Sequence, residues 1–130
     1  MSTLKTGKVK TTTISNELDT ESTDVTNVIN GSAKAWVNFN GQGTVAIRKS
    51  FNISSITDVA VGKYTANFET AMPDANYVIV SISADISVSG IGSIGIISGT
   101  GFTTTTAALG TVNNGGSWYD QSNCMYTFFG

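Results

Sequence analysis

The chain has 130 residues, which suits one domain with a hydrophobic core that needs neither disulfides nor metals. Charged residues make up 12% and hydrophobic residues 40%, a composition that argues against disorder over most of the length. The formal net charge of -2 supplies no basic surface, so we expect no nucleic-acid partner and no attachment to anionic lipid.

Residues 1–31 are polar, with several threonines and asparagines and few apolar residues. Such a segment cannot bury enough apolar surface to offset the entropy lost when it becomes ordered. We therefore predict an extended N-terminal arm that docks onto other subunits or proteins of an assembly. Its candidate interface residues are the apolar ones, among them Val9, Ile14, Val28 and Ile29.

The first ten residues, MSTLKTGKVK, lack the apolar core of a secretory signal peptide. The sequence also contains no apolar run near the roughly 20 residues that span a bilayer. We expect a chain that is made in the cytoplasm and does not insert into a membrane.

From residue 32 onward the pattern is typical of successive β-strands. Ala35, Val37 and Phe39 alternate with polar residues, and the turn sequence NGQG follows, so we expect a β-hairpin whose second strand runs on to Ile53. On that second strand we expect Val45, Ile47, Phe51 and Ile53 to share one face. Tyr64–Phe68 and Tyr77–Ile86 alternate in the same way, and SNCMYTFFG forms a terminal strand. We expect no helix of ten or more residues, since Asn16–Val28 is a poor candidate.

This pattern predicts an all-β fold, an antiparallel β-sandwich of jelly-roll-like type in residues 32–130, preceded by the arm of residues 1–31. The glycine-rich stretch SGIGSIGIISGTG predicts short, kinked or bulged strands. Pro73 and Asp74 predict a turn.

Catalytic groups are scarce. The chain has no histidine, which excludes histidine-dependent triads, and its one cysteine, Cys124, lies in an apolar strand and is expected to be buried rather than reactive. The spacing of the carboxylates selects no acid/base pair, so we predict that the protein is not an enzyme and has no cofactor and no metal. Four acidic residues between positions 17 and 24 form a solvated patch or, less favourably, a weak calcium site.

The tryptophans are the remaining candidates for recognition. Trp36 lies on the polar side of its strand, and packing at a subunit interface is favoured over a role as a binding platform. Trp118 and Tyr119 follow the loop sequence NNGGS. Together with Asp120, Asn113 and Asn114 they either form a face that binds a glycan or begin the last strand and pack inward.

The run KAWVNFNGQGTVAIRKSFNISSITDVAVGKYTANFETAMPDANYVIV resembles a C-terminal module of tail-fibre and related virion appendage proteins of tailed bacteriophages, especially those of marine bacteria and cyanobacteria. The similarity is specific over Ala35–Arg48, Phe51–Asp58, Gly62–Phe68 and Thr70–Tyr77, and the ending SNCMYTFFG also matches. From Ser87 to Ser117 it is loose.

This resemblance implies a virion location, a symmetric and β-rich homo-oligomer in which a trimer is favoured, and contact with the host surface. Two functions stay open. The first is a tail-fibre or tail-tip component that binds a receptor, and the second is a capsid or tail decoration protein whose arm threads between neighbouring subunits.

Overall fold

A computed structural model describes residues 11–16, 21–85 and 101–130, together with the backbone of residues 92–93 and 95–96. The chain divides into two units, of which the first ends at Ser32 and the second begins at Ala33. The predicted boundary lies one residue earlier.

The N-terminal unit contains a small hairpin and a short helix. Strands β1 (Thr13–Ser15) and β2 (Ser22–Asp24) pair antiparallel, and helix α1 (Val25–Gly31) follows directly. Asp24 caps the helix because its Oδ1 accepts a hydrogen bond from the Thr26 amide at 2.6 Å, and this bond lowers the pKa of the Asp24 carboxyl. No described residue of this unit is buried.

The sequence pattern did not predict this helix, because the helix has 7 residues and is too short to show an amphipathic pattern of ten or more residues. The Asp24 cap marks its beginning, and the Ser32 amide donates to the Val28 carbonyl at its end. Local capping therefore accounts for a helix that has no buried face.

The described part of the C-terminal unit contains nine strands. They are β3 (Ala35–Asn40), β4 (Ala46–Phe51), β5 (Ile53–Ala60), β6 (Lys63–Phe68), β7 (Val78–Ala84), β8 (Gly92–Ser93), β9 (Gly95–Ile96), β10 (Thr106–Thr111) and β11 (Asn123–Phe129). One sheet has the strand order β4-β3-β11-β7-β8 and the other has the order β5-β6-β10-β9, with every pair antiparallel. The prediction of a β protein with antiparallel sheets is confirmed in this coarse form, with the short helix α1 as the exception.

The two sheets contribute to one hydrophobic core. Strands β3, β6 and β11 alternate strictly between buried and half-buried residues, as a period of two requires. The rings of Phe39 and Tyr64 meet edge to face at 5.1 Å, and those of Phe68 and Phe128 meet at 5.2 Å, so aromatic pairs join one sheet to the other. The buried hydrophobic residues are Ala35, Val37, Phe39, Ile53, Tyr64, Ala66, Phe68, Met72, Ala107, Leu109, Cys124, Tyr126 and Phe128.

The predicted hairpin after Ala33 is confirmed, but its second strand ends earlier than predicted. Strands β3 and β4 pair antiparallel around the NGQG turn, where Gly43 has a φ of 63°. Asn52, with a φ of 55°, then carries the chain from β4 in one sheet to β5 in the other.

This strand break and a register shift in β4 make the expected grouping of Phe51 with Ile53 on one core face wrong. The shift falls between the partners of Asn38 and Phe39 and leaves Arg48 as the extra residue in β4. Phe51 consequently lies opposite Trp36 and is 54% exposed, whereas Ile53 is buried. A bulge reverses which residues face inward, and a period of two cannot show it.

Two smaller predictions are also confirmed. The Asp74 carboxylate accepts a hydrogen bond from the Asn76 amide at 2.7 Å, which makes it a turn residue. Cys124 is fully buried, and burial raises the pKa of its thiol to about 12. Most of the glycine-rich stretch lies outside the described residues.

Candidate binding surfaces

The first surface is the segment that connects β10 to β11, residues 112–122, which we call the aromatic loop. Asn113 organises its tip because its Oδ1 accepts hydrogen bonds from the Gly115 and Ser117 amides, each at 3.0 Å. Gly116 has a φ of 77°, a conformation that glycine adopts without strain. Asn113 is therefore occupied in shaping the turn, while Asn114 beside it is exposed.

Trp118 and Tyr119 are both 38% exposed, so neither is fully packed into the core. The ammonium group of Lys63 lies 4.7 Å from the centre of the Trp118 ring, in a cation–π contact. The Tyr119 hydroxyl lies 3.4 Å from Asp85 Oδ2. The loop thus presents two aromatic side chains that are each held by one polar contact and are partly exposed.

Asp120 fixes the base of the aromatic loop. Its Oδ1 accepts a hydrogen bond from the Gly62 amide at 2.6 Å and another from the Tyr64 hydroxyl at 2.8 Å. A side chain at Gly62 would collide with the Thr111 carbonyl and the Tyr119 amide, so the loop packs closely on this turn. Asp120 is accordingly an anchor for the loop.

A second carboxylate ties the loop to the β3–β4 turn. Asp85 is only 7% exposed, and its Oδ2 accepts a hydrogen bond from Gln42 Nε2 at 2.8 Å. The Ser122 hydroxyl lies 3.4 Å from Asp85 Oδ1, and Arg48 donates to the Ser122 carbonyl at 2.6 Å. None of these four residues stood out in the sequence, because Gln42 and Asp85 are 43 positions apart and no local pattern joins them.

The five predicted contact residues therefore fall into two groups. Trp118, Tyr119 and Asn114 reach the surface, whereas Asn113 and Asp120 hold the backbone of the loop. Only the first group has side chains placed to meet a ligand. Binding by any of the five stays a prediction.

The predicted interface residues are divided between the two units, and each unit is described by itself. Ile14, Val28 and Ile29 of the N-terminal unit are 49%, 40% and 56% exposed, and Ile14 lines an open cavity of about 350 Å³ with residues of β1 and β2. Trp36 is half-buried and lies on the outer face of its sheet, opposite Phe51 and Thr127. Val9 lies outside the described residues.

Among the described residues, no three or more histidine, cysteine or acidic side chains cluster as a metal site would require. Glu17 and Asp19 of the acidic run lie outside that part of the chain, and Asp24 is the helix cap. No helix in the described part is long and apolar enough to cross a membrane.

Comparison of the chain with protein-family models, with curated proteins and with solved structures finds no match. The aromatic loop, the exposed apolar residues of each unit and the resemblance noted above are the features that bear on function.

Proposed function

We propose that the protein is a structural component of a bacteriophage virion, in a tail fibre or tail tip, that contacts the host surface without catalysing a reaction. The observation that carries the proposal is the aromatic loop, which presents Trp118 and Tyr119 at the surface from a hydrogen-bonded base. The segment that resembles the phage appendage module supplies strands β3–β6, which belong to both sheets. In this account the resembling half is the framework and the loop is the contact.

The fold is proposed in finer detail as a β-sandwich of jelly-roll-like type. The shared core of the two sheets supports a sandwich. Such a framework suits a contact protein because a rigid scaffold holds a variable loop in position.

The proposed ligand of the aromatic loop is a glycan of the host surface. Exposed aromatic rings stack on the apolar faces of sugar rings, and polar groups beside them bind hydroxyls. Trp118 and Tyr119 supply the rings, and Asn114 supplies an exposed amide. Because single contacts of this kind are weak, binding gains strength when several copies act together, and a homotrimer is the assembly proposed.

A decoration protein of the capsid or tail is the second candidate, and the N-terminal unit favours it. Its hairpin and helix have no buried residue among those described, and Ile14 and Ile29 are about half exposed. The described part of this unit therefore gains little stability from its own packing, and it fits a segment that is completed by other virion proteins.

Adsorption to host bacteria tests the first candidate. Purified protein displayed in many copies on beads should bind host cells, and Trp118→Ala should reduce the bound fraction at least tenfold, as expected for the loss of a stacked aromatic ring. Phe102→Ala is the matched control because Phe102 is also 38% exposed but lies outside the aromatic loop.

Normal adsorption of beads that carry the Trp118→Ala variant would contradict the proposal that the aromatic loop binds the host surface. If beads that carry the unaltered protein fail to adsorb at all, the decoration role replaces the tail-tip role.

A further inference from the structure

The turn between β5 and β6 carries two exposed valines. Val61 lies in the turn itself and is 59% exposed, and Val59 lies near the end of β5 and is 60% exposed. Turns usually contain Gly, Pro, Asn, Asp or Ser, which supply the backbone angles or bond to the local backbone. Gly62, with a φ of 65°, already meets the backbone requirement here. The exposed valines are therefore not explained by the turn alone.

This turn and the aromatic loop are held together through their backbones. The Gly62 amide donates to Asp120 Oδ1 at 2.6 Å, and the Thr111 amide donates to the Gly62 carbonyl at 2.8 Å. A Cβ atom at Gly62 would lie 2.6 Å from the Tyr119 nitrogen. Because adjacent Cα atoms are about 3.8 Å apart, the Cα of Val61 lies within about 8 Å of that nitrogen. The valine turn and the loop therefore form one continuous surface.

The side chain of Trp118 lies beside this turn as well. Its ring centre is 4.7 Å from the ammonium group of Lys63, the first residue of β6 after the turn. The Tyr119 hydroxyl instead approaches Asp85, which follows β7 of the other sheet, at 3.4 Å. Trp118 is therefore the ring of the loop that accompanies the valines. We define the apolar patch as Val59, Val61 and Trp118.

We propose that the apolar patch binds a sugar that carries a methyl group, either a 6-deoxy sugar or an N-acetylated sugar. The inference deepens the glycan contact proposed above and rests on it. One aromatic ring covers the apolar face of a sugar, whereas the hydroxyls around that face need polar partners. Valines beside the ring leave such a hydroxyl without a partner, which is unfavourable. A methyl group at that position avoids this loss and gains contact with Val61.

The charges near the apolar patch favour a neutral sugar over an acidic one. Lys63 lies against the Trp118 ring, and Asp58 is exposed on β5. Asp120 lies at the base of the aromatic loop and accepts its hydrogen bonds there. One ammonium group and two carboxylates thus lie close to the turn. They provide no excess of positive charge that would attract an anion.

The area of the apolar patch favours a single sugar over a larger partner. Its three side chains expose on the order of 250 Å². A stable protein interface buries about 800 Å² on each partner, so a protein would need much more surface than this. Attachment to a lipid surface grows with the apolar area buried and with clusters of about four to eight basic residues. The segment from β5 to β6 contains Lys63 as its basic residue.

Two pairs of sugars isolate the methyl group. D-Fucose differs from D-galactose only in lacking the oxygen at C6, and N-acetylglucosamine differs from glucose in its acetamido group. Saturation-transfer NMR titrations of the purified chain, up to about 100 mM sugar, detect the millimolar contacts expected of single sugars. In at least one pair the methyl-bearing sugar should bind about fourfold more tightly, the factor expected for burial of one methyl group. Its methyl protons should receive the strongest transfer.

Val61→Thr replaces a methyl group by a hydroxyl in a side chain of the same shape. It should reduce the preference to less than about twofold and leave the affinity for galactose and glucose unchanged. Val78→Thr is the matched control, because Val78 is 61% exposed and lies about 23 Å along β7 from Asp85, the residue that meets the loop. Both valines are exposed, so both variants should fold. Trp118→Ala should weaken the binding of all four sugars.

Equal affinities within both pairs overturn the inference, as does a preference that Val61→Thr leaves unchanged or a failure of all four sugars to bind. Flotation of the protein with phosphatidylcholine vesicles, reduced by Val61→Thr, would overturn it in favour of a lipid surface. The bead assay tests the proposed function separately. If beads adsorb to cells through Trp118 but the purified chain shows no preference for the methyl group, this inference alone fails. If the beads do not adsorb, the tail-tip role fails whatever the sugars show.

Discussion

The Tyr64 hydroxyl donates a hydrogen bond to Asp120 Oδ1 at 2.8 Å across 56 positions of sequence. Asp120 also accepts from the Gly62 amide, so one carboxylate joins the β5–β6 turn, the core tyrosine and the aromatic loop. The position of the aromatic loop therefore depends on the part-buried hydrogen bond between Tyr64 and Asp120.

Removal of the Asp120 carboxylate tests this anchor. Asp120→Ala leaves the Gly62 amide without its acceptor and leaves the Tyr64 hydroxyl with the Gly41 carbonyl at 3.2 Å. We expect it to lower the free energy of unfolding by about 1–3 kcal/mol. Asp120→Asn keeps an acceptor oxygen and should recover about half of the loss. Urea unfolding followed by circular dichroism measures both, and equal stability of the three proteins would contradict the anchoring role.

As the pH is raised, the free energy of unfolding should begin to fall at a lower pH than ionisation of the buried tyrosines alone would cause. Burial raises the pKa of the Cys124 thiol to about 12 from 9.0, and it also raises the pKa of Tyr64 and Tyr126 above 10.0. All three groups stay protonated in the folded protein, while the unfolded chain releases its protons as the pH rises above 9 to 10. Stability is therefore fully present below pH 9 and falls above it, with a slope of about 1.4 kcal/mol per pH unit for each group that ionises only when unfolded.

Cys124→Ala isolates the thiol in this experiment. The urea midpoint of the variant should be lower at neutral pH because a buried side chain has been truncated, but its decline should begin nearer pH 10 than pH 9. Identical pH profiles for the variant and the unaltered chain would show that the thiol does not contribute.

The passage between the sheets depends on Asn52. Its Nδ2 donates to the Lys34 and Thr70 carbonyls at 3.1 and 3.0 Å, and its Oδ1 accepts from the Thr70 amide at 2.7 Å. Asn52→Gly keeps the left-handed backbone and loses these bonds, so we expect a loss of about 1–3 kcal/mol. Asn52→Ala loses the bonds and adds backbone strain, and it should be less stable than Asn52→Gly by about 1 kcal/mol.

Thermal and urea unfolding of the two Asn52 variants supplies the comparison. A Gly variant that is no more stable than the Ala variant would mean that the left-handed conformation is not what the position demands. Asn52→Asp tolerates the backbone as well, but it faces two carbonyls with a carboxylate and should also be destabilised.

The fold was predictable where alternation has one clear answer. Val37 and Phe39 alternate with polar residues, and both are buried as expected. Val78, Val80 and Ile82 alternate with Tyr77, Ile79 and Ser81, so both faces of β7 contain apolar side chains and the pattern cannot say which faces water. The alternation therefore did not predict that Val78, Val80 and Ile82 are the exposed residues of this strand.

The aromatic loop was predictable only in part, for a similar reason. The NNGGS sequence marks a turn, and the adjacent aromatic pair marks a candidate surface. The roles of Asp120 and Asp85 depend on Tyr64 and Gln42, which are far away in the chain and meet them only after the sheets have formed. A single sequence contains no signal for such contacts.

The proposed tail-fibre or tail-tip role requires the protein to lie at the tail end of a phage particle. Antibodies raised against the purified chain, coupled to gold and applied to particles of the phage that encodes it, test the claim most directly by electron microscopy. We predict gold at the distal end of the tail or its fibres. Gold on the capsid faces would contradict the tail-tip role in favour of decoration, and particles that carry no label after mild denaturation would contradict a place in the virion altogether.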